Sequence, residues 1–267
     1  MANRSEQGHL EKIRDRFTQT AEPFAVTVQS RAREVARLAT MATDGYPNVS
    51  AACVLDVCCG PGTFGRAFAP LVARLVGVDF TPAMLAKARS ISGEAGLANI
   101  EFACGDGNAL PFSDGTFDLA LCTYAFHHLP EPARVLGEMA RVVRKSGRLA
   151  LVDSVILERA DKNLNTRIER LRDPSHAAMF TESGLRELFR AAGLRVIASS
   201  LSSRERDFDD WMFGAGWAPG TPAYTEVRRE IEATMGADTA GFTPKFDPKS
   251  GALTVTQTAL SLVAEEA

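Results

Sequence analysis

The sequence predicts an α/β fold, a mostly parallel sheet with helices on both faces. From Ala52 onward, short apolar runs of strand length alternate with amphipathic helical stretches, and the first run leads directly into a glycine-rich turn and a helix. Strands that are apolar on both sides must be covered on both sides, as in a parallel sheet with helical crossovers.

Helices open the chain. Leu10, Ile13 and Phe17 share one face at helical spacing, as do Val28, Ala32, Val35 and Leu38/Ala39. Glu22-Pro23 separates the two, because proline disfavours helical backbone in the residue before it. Thr43–Ser50, with Asp44-Gly45 and Pro47, reads as a loop. Residues 1–45 are therefore expected to form a helical cap ahead of a main domain over 46–267. Strands are expected at Cys53–Cys58, Leu71–Asp79, Ile100–Cys104, Leu119–Tyr124 and Arg148–Leu157. Thr81-Pro82 supplies an N-cap and a proline at the first helical position. Pro132 opens another helix, with Val135, Leu136, Met139 and Val143 on one face and Ser146-Gly147 expected to end it. Beyond Glu158 the pattern predicts helices over Asp161–Arg172, Ser183–Ala192 and Thr225–Met235. Strands are expected from Leu194 and over Leu253–Val263, with an irregular stretch from Phe208 to Tyr224. Regions around 158–182 and 208–240 are expected to add to the cap.

Composition narrows the function classes. A chain of 267 residues, 45% hydrophobic and 24% charged, suits one generous soluble domain. Its net charge of −3 gives no reason to expect a nucleic-acid partner. The apolar stretches are strand-length, so no membrane span is expected, and Met1–Lys12 lacks the apolar core of a signal peptide. A cytoplasmic setting follows as the default expectation, with a homo-oligomer left open. The five cysteines include no C-x-x-C pair, which speaks against a disulfide framework and a structural zinc site, and no metal ligands are expected. The vicinal Cys58-Cys59 invites a soft-metal reading, which the opposite faces of adjacent strand residues disfavour.

The chemistry concentrates in Val54-Leu55-Asp56-Val57-Cys58-Cys59-Gly60-Pro61-Gly62-Thr63-Phe64-Gly65. Gly60, Gly62 and Gly65 match the dinucleotide pattern G-x-G-x-x-G, in which the following helix N-terminus receives a pyrophosphate. Asp56, at the end of the first strand, would repel that dianion. S-adenosylmethionine presents an ammonium and a sulfonium there and carries no phosphate, so Asp56 favours the methyl donor. Asp79, ending the second strand, is placed to accept ribose hydroxyls. Asp106, after the third strand, can accept from the adenine amine. Three acids at successive carboxyl ends of a parallel sheet mark the expected ligand crevice.

With Phe117–Pro130 added, these motifs resemble the class I S-adenosylmethionine-dependent methyltransferases of the UbiE-like (methyltransferase type 11) group, strongly over Val54–Asp153 and more loosely on either side. The resemblance implies a Rossmann-like seven-stranded sheet whose last strand, Leu253–Val263, is antiparallel. It implies S-adenosyl-L-methionine as cofactor, with contacts at Asp56, Cys58, Gly60, Gly62, Asp79, Phe80, Met84, Asp106, Gly107, Asn108, Cys122 and Tyr124. Phe17 and Phe24 would add contacts from the leading helices. One position departs: the family pattern has glycine where this chain has Cys58. That keeps a non-catalytic, cofactor-binding homologue open, alongside an NAD(P)-dependent oxidoreductase. Methyl transfer needs alignment in a water-poor pocket, and a base only where the nucleophile keeps its proton. His127, His128 and His176 are the candidate catalytic residues, each equally readable as a packed loop histidine. The expected partner is a small organic molecule with an O-, C- or N-acceptor. The aromatic-rich Phe208–Tyr224 suggests an apolar or aromatic one.

Overall fold

The computed structural model describes residues 8–19 and 32–267. The long strands are β1 (Cys53–Val57), β2 (Arg74–Asp79), β3 (Ile100–Cys104), β4 (Phe117–Thr123), β5 (Val143–Ile156), β7 (Leu194–Asp207) and β9 (Leu253–Glu266). Two-residue strands, β6 (Phe180–Thr181) and β8 (Lys245–Phe246), pair with β5 and β9. The long strands form one sheet in the order β3-β2-β1-β4-β5-β9-β7. The strands from β1 to β5 run parallel, and β9 is antiparallel to both β5 and β7. This is the Rossmann-like seven-stranded sheet that the sequence predicts, with the antiparallel strand at the expected place.

The helices are α1 (8–19), α2 (Ala32–Thr43), α3 (Thr63–Phe68), α4 (Pro82–Glu94), α5 (Pro132–Val142), α6 (Lys162–Arg172), α7 (Glu182–Ala191), α8 (Phe208–Phe213) and α9 (Pro222–Ala233). Alternation along the strands feeds two cores. Val54 packs with Leu38 of α2 and with Phe64 and Phe68 of α3. Leu55 and Val57 pack with Val135, Leu136 and Met139 of α5 and with Leu185 and Phe189 of α7. A third core joins Ile168, Phe208, Trp211, Val227 and Ile231 to Leu253 and Val255 at the start of β9. It sets α6, α8 and α9 beside the carboxyl end of β5. No helix among the described residues is long and apolar enough to cross a membrane.

Three local expectations are corrected. Ser146-Gly147 does not end α5: the helix stops at Val142, and both residues lie inside β5. Gly147 is needed for close approach, since an added Cβ would stand 2.5 Å from the Asp118 carbonyl oxygen. Thr81 stands at the N-cap of α4 and Pro82 in its first turn, as expected, but the Thr81 side chain makes no capping hydrogen bond. Phe208–Tyr224 is not wholly irregular. Asp207 accepts from Asp209 N and Asp210 N and so starts α8, whose Phe208, Trp211 and Met212 are buried.

Two glycine substitutions should therefore move stability in opposite directions. Gly147→Ala forces a side chain into backbone and should cost about 1–3 kcal/mol. Gly137→Ala, on the exposed face of α5 with nothing within 4 Å of a new Cβ, should gain about 0.5–1 kcal/mol. Urea midpoints of the two variants check the pair.

Candidate functional site

In this strand order β1 and β4 are neighbours whose connections leave in opposite directions, and the crevice at such a switch point lies beyond the strands' carboxyl ends. β1 leaves the sheet through three left-handed residues: Cys58 (φ 55°), Gly60 (φ 52°) and Gly62 (φ 73°). At Gly62 a Cβ would also meet the Phe102 ring at 3.0 Å. Cys58 occupies a conformation that favours glycine, a strain of about 1 kcal/mol or more. Tyr124, following β4, is left-handed as well (φ 52°).

Two buried carboxylates fix this turn. Asp56 Oδ2 accepts from Gly65 N at 3.1 Å. Asp79 accepts from Gly60 N at 2.9 Å and from Thr81 N at 2.8 Å, tying the first turn to the end of β2. Burial pushes the Asp56 carboxyl up to about 7; the Gly65 N–H opposes the shift and the Asp79 charge adds to it. Burial also raises Asp79, against the amides of Thr81 and Gly60. Asp106 is exposed and accepts from Asn108 N at 2.9 Å and from its Nδ2 at 3.0 Å.

Around this turn lies a crevice of about 860 Å³, its open mouth included. Phe17, Cys58, Gly60, Asp79, Phe80, Met84, Asp106, Gly107, Asn108, Tyr124 and His128 all stand on its wall. Leu10, Ile13 and Phe17 cover it with one face of α1. Three other expected contacts lie behind the wall. Asp56 supports the turn from below, Gly62 packs on Phe102, and the Cys122 side chain is fully buried. Phe24 lies outside the described residues. No lysine or arginine is on the described wall, and two polar atoms there, Thr63 Oγ1 and Asn108 Oδ1, are buried without a hydrogen-bond partner. A wall with two carboxylates, unpaired polar atoms and no cation fits an adenosyl sulfonium better than a pyrophosphate.

The cysteines part from one another. The Cys59 thiol is buried beside Gly77, whereas Cys58 hydrogen-bonds the Cys122 thiol. The cause is the left-handed turn at Cys58 rather than strand alternation, because β1 ends at Val57. Burial, with the carboxylates of Asp56 and Asp79, holds the Cys59 thiol well above its ordinary range.

A second chamber, of about 720 Å³ with its opening, shares Phe17, Tyr124 and His128 with the crevice. His127, His128 and His176 meet on its wall with ring centroids 4.2–4.7 Å apart. The first two come from the turn after β4, the third from the loop after α6. His127 Nδ1 bonds the buried Asp153 of β5, whose other oxygen accepts from His127 N at 3.2 Å. His128 Nδ1 lies 3.0 Å from Ser175 Oγ, which donates to Asp173 at 2.6 Å. Arg170 grips the His176 loop by donating to the carbonyls of His176 and Ala177. Several arginines have inward roles here. Arg172 pairs with Glu169 at 2.9 Å and stacks 4.7 Å over Trp211, and Arg206 lines the chamber. Asp153, Glu169 and Ser175 were not among the expected site residues. Only its place directly after the apolar run Leu149–Val152 of β5 hinted at the first.

The sheet order, the glycine turn and the acids at the strand ends define a class I S-adenosylmethionine-dependent methyltransferase. A family model described as a methyltransferase domain matches residues 54–147. YcgJ of Bacillus subtilis, described as an uncharacterised methyltransferase, is 35% identical over 189 residues, covering 70% of this chain and 73% of that protein. A demethylmenaquinone methyltransferase of Listeria welshimeri is 36% identical over 104 residues, 38% of this chain and 44% of its own length. The YcgJ crystal structure matches with a TM-score of 0.75 at 26% identity, covering 86% of this chain and 97% of that one. A Bacillus halodurans structure matches at 0.78 and 26%, with 88% and 99% covered. The chain belongs to the methyltransferase family that includes YcgJ.

Burial lowers His128, aided by repulsion from His127, to about 3, and it lowers His176 well below the usual range, with His127 and His128 adding to it. Both rings are neutral in the fold but take a proton when unfolded below about pH 6.5. Stability is therefore full above that pH and falls below it, for His128 as pH drops from 6.5 towards 3. The unfolding free energy from urea titration should fall below pH 6.5 by about 1.4 kcal/mol per pH unit for each ring. His128→Gln should flatten that slope.

Proposed function

We propose that the crevice seats S-adenosylmethionine and that the inner chamber receives a small organic acceptor with an ionisable hydroxyl or enol. The observation that carries this reading is the junction of the two spaces at Phe17, Tyr124 and His128, where a cation-free wall meets a histidine-lined one. When bound, the cofactor supplies a methyl carbon already activated by its sulfonium. The chain's own residues do the rest. Asp79 would accept from the ribose hydroxyls, Asp106 would accept from the adenine amine, and Thr63 Oγ1 and Asn108 Oδ1, unpartnered here, would be available to the ligand. Phe17 and the rest of the α1 face exclude water, which strengthens every electrostatic contact inside. In the chamber, Trp211 Nε1 is buried without a partner and can donate to an acceptor oxygen beside its apolar ring. His127, oriented by Asp153, keeps a lone pair on Nε2 that favours loss of the acceptor's proton.

Titration with S-adenosylhomocysteine should saturate one site, whereas NAD should not bind; saturation by NAD alone overturns the reading. Asp79→Ala should weaken that binding by about 1–3 kcal/mol, roughly 5- to 150-fold, and unchanged affinity would remove Asp79 from its role. Burial raises the Asp56 carboxyl to about 7, so an ammonium brought near should release protons to the buffer at neutral pH, read by calorimetry in buffers of different ionisation enthalpy. With a converted acceptor in hand, His127→Ala should lower kcat by about 10²- to 10⁴-fold, and the defect should shrink at a pH where the acceptor ionises unaided.

A further inference from the structure

The three histidines do more than line a chamber. All are buried, and one ring nitrogen from each lies within 4.8 Å of the other two. Packing three imidazoles together without a hydrogen bond among them leaves polar atoms wanting a partner, and His176 Nδ1 is buried with none. The surroundings add a second regularity. Each ring has an oxygen partner or a carboxylate on its Nδ1 side: Asp153 on His127, Ser175 with Asp173 behind it on His128, and Glu169 at 3.9 Å from His176. For His127 and His128 this leaves Nε2 as the available nitrogen. An imidazole that binds a metal through one nitrogen is commonly oriented by a carboxylate or hydroxyl on the other. Asp153, Asp173 and Glu169 are themselves buried, so three carboxylates stand around the cluster.

We propose that His127, His128 and His176 form a binding site for one divalent transition metal of the zinc type, with an open coordination position toward the inner chamber. Three neutral nitrogen donors suit zinc, cobalt, nickel or copper, whereas magnesium and calcium require oxygen ligands. With metal–nitrogen bonds of about 2.1 Å in tetrahedral geometry the nitrogens stand about 3.4 Å apart. One nitrogen from each ring already lies within 4.8 Å of the others, so binding would have to draw the rings closer together. Three protein ligands leave a fourth position for an oxygen of water or of the acceptor. This deepens the acceptor-chamber reading: with the ion bound, His127 Nε2 would be a ligand, and favouring loss of the acceptor's proton would fall to the ion in place of the free imidazole; the role of the ion rests on that reading, whereas the binding of the ion does not.

The test uses the full chain without a polyhistidine tag, stripped by a chelator and then titrated with Zn²⁺ and, separately, Co²⁺. One zinc per chain should survive gel filtration, and Co²⁺ should give the intense visible bands of a four-coordinate site. His176→Gln should weaken zinc binding by about tenfold to a hundredfold, while Cys58→Ser should leave it unchanged. S-adenosylhomocysteine affinity, read on the same samples, should not change in His176→Gln, because His176 is not on the crevice wall. Absence of stoichiometric zinc and of the cobalt bands overturns the metal site, as does zinc retained at full affinity in His176→Gln. If homocysteine-product binding persists in such samples, only this inference fails and the cofactor reading stands. Should His176→Gln fail to fold, the cobalt spectrum of the unsubstituted chain decides alone.

Discussion

The site depends on one constraint: the chain must leave β1 through a left-handed turn and still present its backbone amides inward. Asp79 satisfies it from outside the turn, accepting Gly60 N with one oxygen and Thr81 N with the other. One side chain thereby locks the end of β1 to the start of α4. Asp56 does the same for the following helix through Gly65 N, where glycine is required because a Cβ would lie 2.8 Å from the carboxylate. Both acids are buried at a cost in charge solvation, and their raised proton affinity records it. A positively charged ligand nearby would relieve that cost, so the turn and its ligand stabilise each other.

The second half of the site is assembled differently. Its side chains come from the turn after β4, from β5, from α6 and the loop after it, and from α8, and the third core ties α6 to α8. Arg170 and Arg172 are central to that assembly. The first clamps the carbonyls of the His176 loop, and the second joins Glu169 to the Trp211 ring. His9 and Arg16 of α1 reach the same region, on the His128 carbonyl and on Asp173 and Ala215. Chamber and crevice therefore share part of their cover in α1.

Much of this was legible in the residues, because the β1 turn and the acids at strand ends are local patterns with a local physical cause. The alternation of Val54, Leu55 and Val57 declared both cores, and Leu253–Val263 declared its own strand. The misreadings have equally local reasons. Ser146-Gly147 resembles a helix stop, yet the glycine answers a contact with Asp118, about thirty positions away and invisible to periodicity. The α8 helix was masked by its neighbouring glycines and prolines, although Asp207 before Phe208, Trp211 and Met212 is a readable cap with helical spacing. The histidine cluster was half visible: His127 and His128 are adjacent, but nothing in spacing places His176 or Asp153 against them. That juxtaposition exists only once the sheet and the third core have formed.

The position of β9 has a consequence for how the chain is made. Its fourteen residues lie between β5 and β7, paired with both. During synthesis those two strands emerge first, each with an unsatisfied hydrogen-bonding edge where the missing neighbour belongs. Until the last strand arrives the half-built sheet is open in its middle, an invitation to pairing with other chains. Since β9 also supplies Leu253 and Val255 to the third core, that core can close only after β9 has entered between the two earlier strands.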